Sequence, residues 1–236
     1  MLPKLPVDLK STLSCIIPAL HTLGTKMKES YWHQKWADND IAFHENDGNP
    51  LLKRHFSLLN LAISSRVFIP LCGKTLDIAW LLSKGYQVVG AELSQFAVQE
   101  LFKNLGIEPS VSKNGKFDHY QAVNLDIFVG DIFNLSTDII GSVDAIYDRA
   151  ALVALPVELR IKYTHHLIEI TNKAPQLLIC FEYDQSDMAG PPFSIKHENI
   201  QQYYSQDYAI KFIERKNVKG GIKGQTPGNE AVWLLQ

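Results

Sequence analysis

Residues 67–77 read VFIPLCGKTLD. Val67 to Ile69 form a short apolar run that ends in Pro-Leu-Cys-Gly, and an amphipathic stretch from Thr75 to Leu82 follows at once. That order predicts a buried strand turning directly into a helix, the unit from which α/β sheets are built. The turn has one glycine, Gly73, where the dinucleotide fingerprint needs three. Gly73-Lys74-Thr75 matches the end of a phosphate-binding P-loop, but Phe68 stands where the first glycine of that loop belongs. The triplet is therefore read as incidental, and the turn as one not made for a pyrophosphate.

Outward from this turn the same alternation continues. Arg66 to Pro70 is a strand, Leu76 to Leu82 a helix closed by Lys84-Gly85, and Gln87 to Leu93 a second buried strand. Ser94 caps a helix from Gln95 to Asn104. Asn114-Gly115 signals a hairpin, with strands at Phe117 to Val123 and Asp126 to Val129. Val143 to Tyr147 and Leu177 to Glu182 are further strands, with a helix from Pro156 to Ile170 between them. Tyr183 to Phe193 reads as loop, and Ser194 as the cap of a helix from Ile195 to Tyr204. Ile210 to Glu214 and Val232 to Leu234 complete the pattern. Strands alternating with helices predict one mostly parallel sheet covered on both faces. Toward the N-terminus, Trp32 and Trp36 are four apart and share one helix face. They are either core aromatics or part of a cover over a ligand.

In such folds, ligands bind at the carboxyl ends of the strands. Glu92 ends the second strand, 19 positions after Gly73. An acid at about that spacing accepts hydrogen bonds from ribose hydroxyls. The alternatives are that it caps the next helix or faces solvent. Missing glycines matter most for a pyrophosphate, which needs close backbone approach at a helix N-terminus. A nucleoside without phosphates makes weaker demands. Turn and acid together therefore favour S-adenosylmethionine over NAD, with Asp131 and Ile132, at the end of a later strand, beside the base.

Composition sets the outer bounds. The 236 residues are 46% apolar and 20% charged, enough for a sizeable core. A net charge of −2 and no basic stripe give no sign of a nucleic-acid partner. No segment approaches the length of a membrane span. Cys15, Cys72 and Cys180 form neither a CxxC nor a zinc pattern, so a cytoplasmic setting is expected. His44, His165 and His166 lack metal-ligand spacing and are read as structural or exposed. Residues 1–26, with Pro3, Pro6 and Pro18, differ in character and are read as a leader or upstream-start extension before a single domain at 27–236.

Taken together, YWHQKW (31–36), AFHENDGNPLLKRHF (42–56), VFIPLCGKTLDIAWLLSKGYQVVGAELS (67–94), GDIFNL (130–135), YDRAALVALP (147–156) and YDQSDMAGPPFSI (183–195) resemble the thiopurine S-methyltransferase family in its bacterial form. The resemblance implies a Rossmann-like class I methyltransferase with a seven-stranded, mostly parallel sheet and S-adenosylmethionine as methyl donor. By position it implies that Trp36 covers the cofactor, that Leu71 lies against its methionine part, and that Glu92 holds its ribose. Ile132 would lie beside adenine, and Arg149 near the methionine end, close to the acceptor. Phe43 would be an aromatic substrate contact. No residue is expected to act as a catalytic base and no metal is implied. The expected acceptor is a small aromatic or heterocyclic thiol such as a thiopurine, and the expected state a monomer. A methyltransferase acting on tellurite or selenium species, halide or inorganic thiol is the alternative. An NAD-dependent enzyme and a binding protein without chemistry are more distant ones. The glycine-rich stretch Lys216 to Gly228 departs from the family pattern, which usually has a longer charged helix before the last strand.

Overall fold

The structure, a computed structural model, describes residues 29–38 and 48–236. Phe43, His44 and the leader at 1–26 lie outside the described residues.

The strand called from VFI is β1, Arg66–Ile69, and the helix after its turn is α3, Asp77–Ser83. Before them come α1, Glu29–Ala37, and α2, Pro50–His55. After them come β2, Gln87–Glu92, and α4, Gln95–Leu105. Three antiparallel strands follow, β3 (Ser110–Asn114), β4 (Phe117–Ala122) and β5 (Leu125–Val129). Then come α5 (Thr137–Ile140), β6 (Ala145–Arg149), α6 (Val157–Ile170), β7 (Gln176–Tyr183) and α7 (His197–Tyr204). The chain closes on β8 (Ile210–Asn217) and β9 (Gly228–Leu235).

The sheet runs β3-β4-β5-β2-β1-β6-β7-β9-β8. Its five central strands, from β5 to β7, are parallel. The chain reverses direction across the sheet at β1, whose neighbours are β2 and β6. That switch point opens a crevice at the strands' carboxyl ends.

Each face of the sheet has its own apolar layer. Phe68 and Ile146 point to the side of α6 and α7, where they join Tyr163, Leu167 and Tyr204. Val67, Ile69, Ala145 and Tyr147 point to the other side, where they join Leu51, Ile78, Leu81 and Leu101 from α2, α3 and α4. This period-two division is what a strand buried on both faces requires. Each such Val, Ile or Phe contributes on the order of 1.5–3 kcal/mol by its burial.

Three expectations are corrected. Among the described residues the sheet has nine strands, not seven. The Asn114-Gly115 hairpin adds β3 to β4 at the edge beside β5, and β3 is mostly exposed, so it had no apolar signal to announce it. Ser194 does not cap α7. Its hydroxyl accepts from the Tyr183 amide and donates to the Tyr183 carbonyl, and Lys196 is the cap. The final strands run beyond Ile210 to Glu214 and Val232 to Leu234: each is eight residues long, and β9 pairs with β7 from end to end.

Candidate active site

Beyond the carboxyl ends of β1, β2 and β6 lies a cavity of about 1060 Å³. Such a volume accommodates a cofactor and a second small molecule together. Trp36, Leu71, Glu92, Ile132 and Arg149 all line it. They come from five separate places in the chain.

The turn after β1 explains its single glycine. Leu71 has φ 47° and Gly73 φ 52°, so the backbone is left-handed at both positions. The Cys72 amide donates to the Ala91 carbonyl at 2.9 Å, which ties the turn to β2. A Cβ at Gly73 would fall 2.7 Å from Trp36 Cζ2. Gly73 is therefore required by contact with an aromatic side chain, where the dinucleotide fold requires its glycines for phosphates. Trp36 is buried, seated on this turn by α1.

Glu92 is buried at the rim of the same turn. Its Oε2 accepts from the Gly73 amide and its Oε1 from the Ser94 amide, each at 2.8 Å. Of the alternatives weighed for it, solvent exposure does not hold, and a tie to the head of α4 does. A carboxylate offers about four acceptor directions. These amides use part of that capacity and leave the rest for a diol. Burial pushes the Glu92 carboxyl above its ordinary range, and the amides of Ser94, Gly73 and Leu93 pull the other way.

Asp131 accepts from the Phe133 amide at 3.0 Å and fixes the short turn that carries Ile132. His166 Nε2 donates to the Ile132 carbonyl at 2.8 Å, so its role is structural. Arg149 is the last residue of β6 and enters the cavity from the centre of the sheet. Ala150 follows at φ 65° and turns the chain sharply. The residues that come next, Val153 to Leu155, form a second wall.

Several lining residues were not among the sequence candidates. Asp77 is buried: its Oδ1 accepts from the Asn49 amide at 2.6 Å and its Oδ2 from the Tyr147 hydroxyl at 3.0 Å. Pro191 and Pro192 come from the loop after β7, and Ile222 and Lys223 from the glycine-rich connection between β8 and β9. The stretch read as a departure from the family pattern thus contributes to the cavity. Only Asp77 carried a local signal, an acid in the first turn of α3 directly after the glycine turn. Among the described residues no cluster of three or more His, Cys, Asp or Glu could hold a metal ion, and no helix is long and apolar enough to cross a membrane.

These features fit a nucleoside with a zwitterionic tail. A buried acid with spare acceptor capacity stands beside a glycine turn sealed by an indole, and a guanidinium lines the same cavity. The thiopurine S-methyltransferase family model matches residues 27–235. A thiopurine S-methyltransferase of Xanthobacter autotrophicus is 51% identical over 211 residues, 89% of this chain and 99% of the relative. One of Teredinibacter turnerae is 53% identical over 209 residues, 89% of this chain and 97% of the relative. Among solved structures, the 1,6-didemethyltoxoflavin-N1-methyltransferase of Burkholderia thailandensis, with S-adenosylhomocysteine bound, superposes with a TM-score of 0.61 at 12% identity, covering 88% of this chain and 86% of that one. The likeness carries the fold: a class I methyltransferase sheet. The chain belongs to the thiopurine S-methyltransferase family, and its cofactor is S-adenosylmethionine.

Proposed function

We propose that this family member transfers the methyl group of S-adenosylmethionine to the sulfur of a small aromatic or heterocyclic thiol by in-line displacement. The observation that carries this is the make-up of the cavity beyond the cofactor side. Val153, Leu155, Phe181, Pro191 and Pro192 give the cavity apolar walls, and Arg149 lines it with them. A flat aromatic acceptor fits such walls better than a small hydrated oxyanion or halide, whose solvation shell they cannot replace.

In this reading the Glu92 carboxylate accepts from the ribose hydroxyls, Leu71 lies under the methionine chain, and Ile132 flanks adenine. Trp36 closes the turn and keeps water out. Arg149 holds the cofactor carboxylate at the end where the acceptor enters. Phe43, from the segment before Gly48, adds an aromatic contact to the acceptor. The cofactor supplies a methyl already activated by the positive sulfonium. The protein therefore needs no strong general base, because a simple thiol has a pKa of roughly 8.5 and aromatic thiols ionise more readily. Its own contribution is alignment, which reaches ~7–11 kcal/mol in well-oriented systems. The catalytic unit is residues 27–236, acting as a monomer, with 1–26 outside it.

The test is to incubate the protein with methyl-labelled cofactor and an aromatic thiol and to identify the product by mass spectrometry. A labelled thioether formed one-for-one with S-adenosylhomocysteine supports the proposal. Labelled selenium or tellurium species with no thioether from any thiol would replace this acceptor class by the inorganic one.

A further inference from the structure

Behind the wall at residues 150–155 lies a buried acid that the proposed chemistry does not use. Asp148 precedes Arg149 in β6 but points to the opposite face of the sheet, where it is fully buried under α6. Its Oδ2 accepts from the Tyr163 hydroxyl of α6 at 2.7 Å. Its Oδ1 accepts from the Leu152 amide at 3.2 Å. That amide opens the short turn Leu152–Ala154, reached through Ala150 at φ 65°. Within the turn, the Val153 carbonyl accepts from the Phe193 amide at 2.6 Å. Phe193 directly follows Pro191 and Pro192, which line the cavity together with Val153 and Leu155. One buried carboxylate therefore fixes a turn that is itself clipped to the proline loop.

We propose that Asp148, held by Tyr163, is a positioning residue that sets the acceptor wall of the cavity and leaves the cofactor turn untouched. The inference rests on the methyltransferase reading above. Arg149 does not depend on Asp148 for its backbone, because it is registered in the sheet against Ile179. The cofactor turn at residues 71–73 and Glu92 is built on β1 and β2 and shares none of these hydrogen bonds.

Bonds to an ionised acceptor are roughly twice as strong as neutral ones. The wall is thus firmest when Asp148 is charged. Burial raises its pKa to about 6, against the pull of the Tyr163 hydroxyl and of the Leu152 and Ala151 amides. The other titratable groups facing it are Tyr204 of α7 and Cys180 of β7, both buried and both raised further by its charge. Protonation near neutrality therefore falls on Asp148.

The experiment compares wild type, Asp148→Asn and Tyr163→Phe from pH 5 to 8. The acceptor is 4-nitrobenzenethiol, whose nitro group keeps the sulfur ionised through most of this range. Acceptor KM is read beside the Kd of S-adenosylhomocysteine. At pH 7.5, Asp148→Asn should raise acceptor KM about tenfold, the worth of one charge-assisted hydrogen bond, with the Kd within about twofold. The gap should close as the pH falls below about 6. Tyr163→Phe removes a donor that favours the charged form, so the wild-type transition should move to higher pH. A constant ratio across the pH range, or a Kd that moves as much as KM, overturns the inference. If Asp148→Asn does not fold, Tyr163→Phe decides alone: an upward shift supports the inference, and an unshifted transition overturns it. A wild type that binds S-adenosylhomocysteine and methylates no thiol overturns the functional proposal, and this inference with it.

Discussion

The indole of Trp36 rests on Gly73 so closely that a Cβ there would lie 2.7 Å from Cζ2 and 2.9 Å from Cη2. The helix that carries the tryptophan and the turn that carries the glycine are thus fitted to each other. Gly73→Ala should destabilise the protein by about 2–4 kcal/mol, from left-handed strain plus overpacking. Thermal unfolding measures this, and cofactor affinity should fall in parallel.

Glu92→Gln should weaken S-adenosylhomocysteine binding about 10- to 100-fold. The amide side chain keeps one acceptor oxygen for two backbone N–H groups and turns its NH₂ toward the other. In wild type the acceptor is the ionised form, and burial raises its pKa. Affinity should therefore fall as the pH drops through that raised value, and the variant should lack this dependence. Calorimetry at several pH values checks both.

Asp148 makes a second, thermodynamic signature. Its native pKa of about 6 lies above the ordinary 3.8, so the native state binds the extra proton between these values. Stability from this group is full below about pH 4 and is lost as the pH rises through about 6, by ~3 kcal/mol at most. Urea unfolding of Asp148→Asn should lack that loss. The stability difference between variant and wild type should change across this window and level off above it.

Tyr147→Phe removes the donor to Asp77 Oδ2 in the cavity floor. A buried carboxylate oxygen losing its partner costs about 1–3 kcal/mol. A midpoint shift of that size in denaturant unfolding, with an unchanged slope, is the expected result.

The alternation of strands and helices was legible because each central strand is buried on both faces and reads as an apolar run. β3 was not, since an exposed edge hairpin such as SVSKN has no such run. That Glu92 lies beside the glycine turn was legible from spacing, because β1, its turn and β2 are consecutive in the chain. The partnership of Trp36 with Gly73 was not. It joins residues far apart in sequence, and nothing local to the turn says which side chain its single glycine makes room for. The contributions of Ile222 and Lys223 were hidden for a related reason. A glycine-rich connection gives no periodicity, and only the pairing of β9 with both β7 and β8 carries it to the cavity. Ser194 showed the limit of local rules. A serine just ahead of a helix is a cap by pattern, yet here its hydroxyl is taken by Tyr183.

The measurement that bears most directly on the account is a calorimetric titration of the folded protein with S-adenosylhomocysteine. The account predicts saturable binding at one site per chain in the micromolar range, weakened by Glu92→Gln. A folded sample that gives no binding heat at several temperatures, and no shift in unfolding temperature with ligand, would contradict it.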